Sequence, residues 1–148
     1  MKPYKPGFDG WGLLLFLLIM LPNFVWSAIP APHDVLRGDS VTETLDAAAS
    51  VFQILMAGAL IFLVNPQRKP LRLTKLTAAV LGCVVLYFGG WIFYYLGRTE
   101  PGVILLLTVP PCLAFLLFAA ERKNLPALIS GAVFMVCHVV FSVVNFII

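Results

Sequence analysis

The sequence predicts an all-α integral membrane protein, a bundle of five spanning helices with the N-terminus cytoplasmic and the C-terminus extracytoplasmic. Three observations carry this expectation. Of the 148 residues, 61% are hydrophobic and only 11% are charged, with a mean hydropathy of +0.98. A water-soluble domain carries roughly 25% charged residues, so too little polar surface remains to coat a soluble globule. The apolar residues also come in long blocks rather than at the period of an amphipathic helix or a half-buried strand. Finally, lysine and arginine collect in alternate connections between those blocks, as the positive-inside rule requires.

Five charge-free blocks are long enough to cross a bilayer, which takes about 20 apolar residues and at least about 17. They are Gly10–Pro32, Ala47–Val64, Leu76–Gly97, Pro101–Ala120 and Leu125–Ile148. The second is short and recruits Leu45 and Asp46 at its start, so the expected spans are 10–32, 46–64, 76–97, 101–120 and 125–148 of a single transmembrane domain. None alternates with a two-residue period, which leaves helices as the spanning form. The first block follows Lys2 and Lys5 and so resembles a signal peptide. It is longer than a usual signal core, is interrupted by Pro22-Asn23 and lacks a good cleavage site, so it reads as a retained helix.

The connections are short. His33–Asp46 is the longest, Asn65–Lys75 follows, and Arg98–Glu100 and Glu121–Asn124 are tight turns. Sequential helices are therefore antiparallel neighbours. An odd number of spans places Lys2, Lys5, Arg68, Lys69, Arg72, Lys75, Arg122 and Lys123 on one side, and Arg37 and Arg98 on the other. Eight of the ten basic residues thus share the side assigned to the cytoplasm. Pro110 and Pro111 fall in the middle of the fourth block, where proline removes a backbone donor and crowds the preceding turn. A re-entrant hairpin there would leave halves of about nine residues, too short to span. One kinked helix is expected instead, with Pro22, Pro110 and Pro111 as kink or hinge positions.

Chemical motifs are few. No nucleophile elbow, zinc-protease helix, phosphate loop or metal-ligand spacing occurs, so the chain is expected to be non-enzymatic, without cofactor or metal. Cys83, Cys112 and Cys137 lie inside apolar blocks and read as packing residues, and His33 reads as part of a solvated turn. No continuous basic face supports a nucleic-acid partner. Arg68, Lys69, Arg72 and Lys75 form a juxtamembrane basic loop, expected to set topology and to contact membrane lipid.

Polar and aromatic residues inside the spans are the informative ones, because they are costly in hydrocarbon. Asp46, Ser50 and Gln53 share a face of the second helix, Tyr87, Trp91 and Tyr94 of the third, and His138, Ser142 and Asn145 of the fifth, each set spaced by four and three. Asn23 and Trp26 add to them from the first. Two readings stand side by side: hydrogen-bonding glue between helices, or the lining of an outward-facing pocket for a small amphipathic or aromatic solute. The rival to a solute-binding protein is a structural or regulatory subunit. In that reading Gly82, Gly89, Gly90 and Gly97 permit close packing against another copy or a larger membrane partner.

The segments GFDGWGLLLFLLIMLPNFVW (Gly7–Trp26), IPAPHDVLR (Ile29–Arg37), WIFYYLG (Trp91–Gly97), VPPCLAFLLFAAERKN (Val109–Asn124) and CHVVFSVVNFI (Cys137–Ile147) resemble a family of small, uncharacterised bacterial multi-pass membrane proteins. That resemblance implies a bacterial inner (plasma) membrane and brings no activity or site with it. In size and span number alone, the chain is also similar to the tryptophan-rich sensory or translocator proteins. It has only Trp11, Trp26 and Trp91, and does not reproduce their tryptophan and proline motifs.

Overall fold

A computed structural model describes residues 4–148; Lys2, counted above with the basic side, lies outside them. Five helices are each long and apolar enough to cross a membrane: α1 (Gly10–Ala28), α2 (Glu43–Phe62), α3 (Lys75–Tyr95), α4 (Pro101–Glu121) and α5 (Leu125–Phe146). A two-residue ladder pairs β1 (Lys5–Pro6) antiparallel with β2 (Leu63–Val64), and Val35–Arg37 forms a single 3-10 turn. One end of the bundle, here the basic end, gathers Lys5, the 65–74 loop and the 122–124 turn. The opposite end carries the 29–42 loop and the 96–100 turn.

Helix boundaries follow local chemistry. α1 stops four residues before the end of its apolar block because Pro30 drives Ile29 into extended conformation (φ −126°, ψ 104°). α2 starts three residues earlier than its expected span, since Glu43 and Asp46 suit the first turn of a helix. Asp9, Thr74 and Asn124 cap the N-termini of α1, α3 and α5 through side-chain oxygens that accept backbone N–H groups. α4 ends with Lys123 in the left-handed region (φ 52°), and the amides of Lys123 and Asn124 donate back to the carbonyls of Ala120 and Ala119.

α4 is the central helix. In its most apolar window 61% of residues are buried, against 22–33% in the other four. It packs between α3 and α5, α5 packs on α2, and α1 lies across the assembly with much sparser contacts. The helix runs unbroken through Pro110 and Pro111, both buried, so the fourth block is one span rather than a re-entrant hairpin. Proline leaves the Leu106 and Leu107 carbonyls without their helical donors. Gly90 of α3 lets the helices approach at this turn: a Cβ there would lie 2.8 Å from Leu106 Cβ and 3.2 Å from its carbonyl carbon. Gly12 does the same for α1 on α2, where a Cβ would come within 2.7 Å of the Leu60 carbonyl oxygen.

The neighbouring glycines of α3 provide a test. Gly90→Val should lower the unfolding midpoint, at a cost of about 1–3 kcal/mol from overpacking. A Cβ at Gly89 meets nothing within 4 Å, so Gly89→Val should stay within about 0.5 kcal/mol of the parent. Thermal unfolding in the same detergent would compare them.

Candidate functional site: a mid-span cavity and the clamp beside it

All five helices line one internal cavity of about 200 Å³. α1 contributes Ile19, Met20 and Asn23, α2 contributes Gln53, and α3 contributes Tyr87. Leu107, Pro111, Cys112 and Phe115 come from α4, and Phe134 and His138 from α5. Ile19, Gln53, Tyr87, Pro111 and His138 each lie within one turn of the middle of their helix. The cavity is thus at mid-span.

Its polar groups fall into two kinds. Asn23 and Tyr87 are engaged: Asn23 Nδ2 donates to the Tyr87 hydroxyl at 2.8 Å and to the Ile19 carbonyl at 3.3 Å, and that hydroxyl donates to Ile19 O at 2.9 Å. Gln53 and His138 are nearly unspent. Gln53 Nε2 reaches only the Met20 sulfur, at 3.8 Å, a weak acceptor. The His138 ring lies near-parallel to those of Phe134 (centroids 5.1 Å, 19°) and Phe141 (6.3 Å, 11°), and makes no hydrogen bond among the described residues. No carboxylate, lysine or arginine lines the cavity, and among the described residues no three His, Cys, Asp or Glu side chains group as metal ligands. The arrangement can hold a neutral molecule by its apolar walls and orient it through an amide and an imidazole.

An open apolar groove lies beside this cavity. Phe16, Met20, Gln53, Ile54, Ala57, Gly58, Ile61 and Phe62 line a hollow of about 440 Å³ between α1 and α2. Met20 and Gln53 belong to both spaces.

Other residues of the stripes have different surroundings. Asp46 and Ser50 are exposed on α2, outside the cavity. Ser142 is buried and accepts from Thr108 Oγ1 at 3.1 Å, joining α5 to α4. Asn145 Nδ2 donates to Thr42 Oγ1 at 2.7 Å, and its oxygen accepts from the Val41 amide at 2.7 Å, fastening the start of α2. Pro111 lines the cavity, whereas Pro22 faces a shallow apolar groove between α1 and α3.

Trp26, Trp91 and Tyr94 join a clamp at the opposite end of the bundle. Asp34 stands at its centre. It accepts from Trp26 Nε1 (2.9 and 3.0 Å), Tyr94 OH (2.8 Å), Arg37 Nε (2.7 Å) and, more weakly, the Ala31 amide (3.4 Å). Arg37 also lies over the Trp26 ring at 4.5 Å and donates to the Trp26 carbonyl. Trp91 is packed among Trp26, Tyr87, Tyr94 and Tyr95, with centroids 5.7–6.4 Å apart. Tyr95 OH donates to the Ile29 carbonyl at 2.6 Å. The 29–37 segment is thereby fastened onto the end of α3.

Neither Asp34 nor Asp9 is assigned a role in the sequence reading. At the basic end, Asp9 is 3% exposed and Arg122 6%. Arg122 Nε donates to Asp9 Oδ2 at 2.7 Å, and Arg68 Nη1 stands 3.1 Å from the same oxygen. Lys69 is exposed, but its carbonyl accepts from Arg122 Nη1 at 3.0 Å; Arg72 and Lys75 are exposed. Asn124 Nδ2 donates to Ala59 O and Leu63 O, holding the end of α2. The available signal was positional: an Asp just before an apolar run is an N-cap pattern.

Burial of Asp34 favours its neutral form. The hydrogen bonds from Trp26, Tyr94, Arg37 and the Ala31 amide together outweigh that effect and hold its carboxyl below the ordinary 3.8. With the folded value below the unfolded one, its stabilisation is present above pH 3.8 and is lost as pH falls through the lower folded value. Asp34→Asn should therefore cost about 1–3 kcal/mol at neutral pH. The variant's unfolding midpoint should also depend less on pH below 3.8 than the parent's. Comparison with known proteins gives no relative: no family model, no curated protein and no solved structure matches the chain.

Proposed function

We propose that the protein is a non-enzymatic multi-pass protein of the bacterial inner membrane, N-terminus cytoplasmic, that binds or passes a small neutral amphipathic solute in its mid-span cavity. The observation that carries this reading is the pair of unspent polar side chains, Gln53 and His138, facing one cavity from different helices. Were these residues only glue, they would be bonded to each other or to neighbouring helices, as Ser142 and Asn145 are. Size narrows the solute. An apolar cavity of about 150 Å³ accepts benzene, so about 200 Å³ suits a single ring bearing one or two polar substituents. The uncharged lining favours a neutral form.

Entry from the bilayer fits the groove between α1 and α2, since Met20 and Gln53 line both the groove and the cavity. A solute dissolved in hydrocarbon would pass when the sparsely packed α1 shifts, with Pro22 in α1 and Pro110 and Pro111 in α4 as hinges. Gly82 and Gly89, open on the outer face of α3, favour a second reading in which the bundle packs against another copy or a larger membrane subunit.

Binding of 4-fluorophenol to the protein in lipid nanodiscs, followed by fluorine NMR, tests the first reading. Gln53→Leu and His138→Phe should each weaken saturable binding about five- to tenfold, the worth of one hydrogen bond. Asp46→Asn and Ser50→Ala should leave it unchanged. Met20→Phe should slow exchange more than it alters affinity. Equal binding in the parent and in both cavity variants, with a stoichiometric membrane partner after gentle solubilisation, would decide for the subunit.

A further inference from the structure

We infer that the basic end carries a phosphate-binding site, formed by Arg68, Lys69 and Arg122 around the start of α1 and favouring the phosphodiester of an anionic phospholipid. These side chains, with Asp9, Trp11 and Leu71, line an open bowl of about 490 Å³. It is separate from the mid-span cavity and shares no residue with it.

Charge is the first reason. Asp9 is the sole carboxylate lining the bowl, against three cationic side chains, which leaves two formal positive charges in excess. Asp9 is also fully committed. Its Oδ1 accepts from the Trp11 and Gly12 amides at 3.2 and 3.4 Å, and its Oδ2 accepts from Arg122 Nε and faces Arg68.

Unspent donors are the second. Arg68 Nη1 is held beside Asp9 Oδ2 at 3.1 Å, whereas Arg68 Nε and Nη2 and the exposed Lys69 ammonium have no partner among the described residues. These donors are free to meet the oxygens of an anion that enters the bowl. Planar guanidinium groups beside an ammonium match the oxygens of a phosphate group.

Location selects the lipid source. The bowl lies where α1 starts and α4 ends, at the boundary of the apolar spans. Trp11, 53% exposed in the first turn of α1, is of the type that settles at headgroup level, and Leu71 offers apolar contact beneath. This differs from general attraction of a basic loop to an anionic surface. Arg72 and Lys75 belong to the same loop and do not line the bowl.

Native mass spectrometry of the full chain with phosphatidylglycerol or phosphatidylcholine, and phosphorus NMR with inorganic phosphate, test the site. Two double variants remove equal charge: Arg68→Gln/Lys69→Gln inside the bowl and Arg72→Gln/Lys75→Gln outside it. Asp9 and Arg122 stay intact, so the cap of α1 is preserved. The parent should retain phosphatidylglycerol over phosphatidylcholine, and the bowl variant should lose on the order of tenfold of that retention. The outer variant should keep it. Saturable inorganic phosphate binding, lost only in the bowl variant, would support the same site with a soluble ligand. An equal loss in both variants would mean diffuse attraction and overturn the proposal. So would equal retention of the two lipids, with no phosphate bound.

Discussion

The Asp9 carboxylate is the constraint on which the arrangement of α1 depends. One oxygen caps α1, and the other pairs with Arg122 just past the end of α4 and faces Arg68 in the 65–74 loop. Each charge suits its helix end, with the anion at the positive end of the α1 dipole and the cation at the negative end of the α4 dipole. A buried ion pair adds little net stability, because desolvation offsets the attraction, but removing one partner leaves the other stranded. Its consequence is geometric. The start of α1 is held to the end of α4 by a contact that other registers of the helix would not satisfy.

That tether matters because apolar packing alone gives α1 a weak hold. Other fastenings are local: the close approach of Gly12 to the Leu60 carbonyl, and hydrogen bonds of Asn23 and Ile19 with Tyr87 and of Trp26 with Asp34. Between Gly12 and Asn23 the one polar tie is the Tyr87 hydroxyl on the Ile19 carbonyl, at 2.9 Å, and the rest is side-chain contact. Both the cavity and the α1–α2 groove adjoin this stretch, at Met20. In a bilayer, lipid tails compete with helix for apolar surface, so apolar contact gives α1 no strong preference for the closed position. On the proposed function, a solute would enter beside the Tyr87 tie, where Met20 lines both the groove and the cavity.

The spans were legible in the sequence because bilayer thickness imposes one length on all of them. Ends were read less well: the expected first span runs to Pro32, although Pro30 already stops α1 at Ala28. The lining was legible only in part, because a four-and-three spacing gives the face of a helix and not what that face meets. Gln53 and Asp46 share such a face, yet one reaches the cavity while the other, nearer the start of α2, is exposed. His138 and Ser142 likewise share a face, but Ser142 meets Thr108 of α4. No periodicity announces Thr108, since its partner is 34 residues away. Asp9 and Asp34 were missed for a related reason: a carboxylate beside an apolar block looks solvated until the distant arginine, tryptophan and tyrosine that fold onto it are known.

The distribution of charge bears on the solute as much as on the fold. Asp9 and Asp34 lie at opposite ends of the bundle, each neutralised by arginine, while the cavity between them holds no ionisable carboxylate or amine. An ion crossing such a path would leave a compensated site, meet only an amide, an imidazole, a phenol and apolar walls, and pay its full desolvation at mid-span. A neutral ring pays little there and gains contact with Phe115 and Phe134 on the way. With its charges held at the two ends, the bundle offers a lining in the middle that favours a neutral molecule over an ion. On the proposed function, such a lining suits molecules that already partition into the membrane.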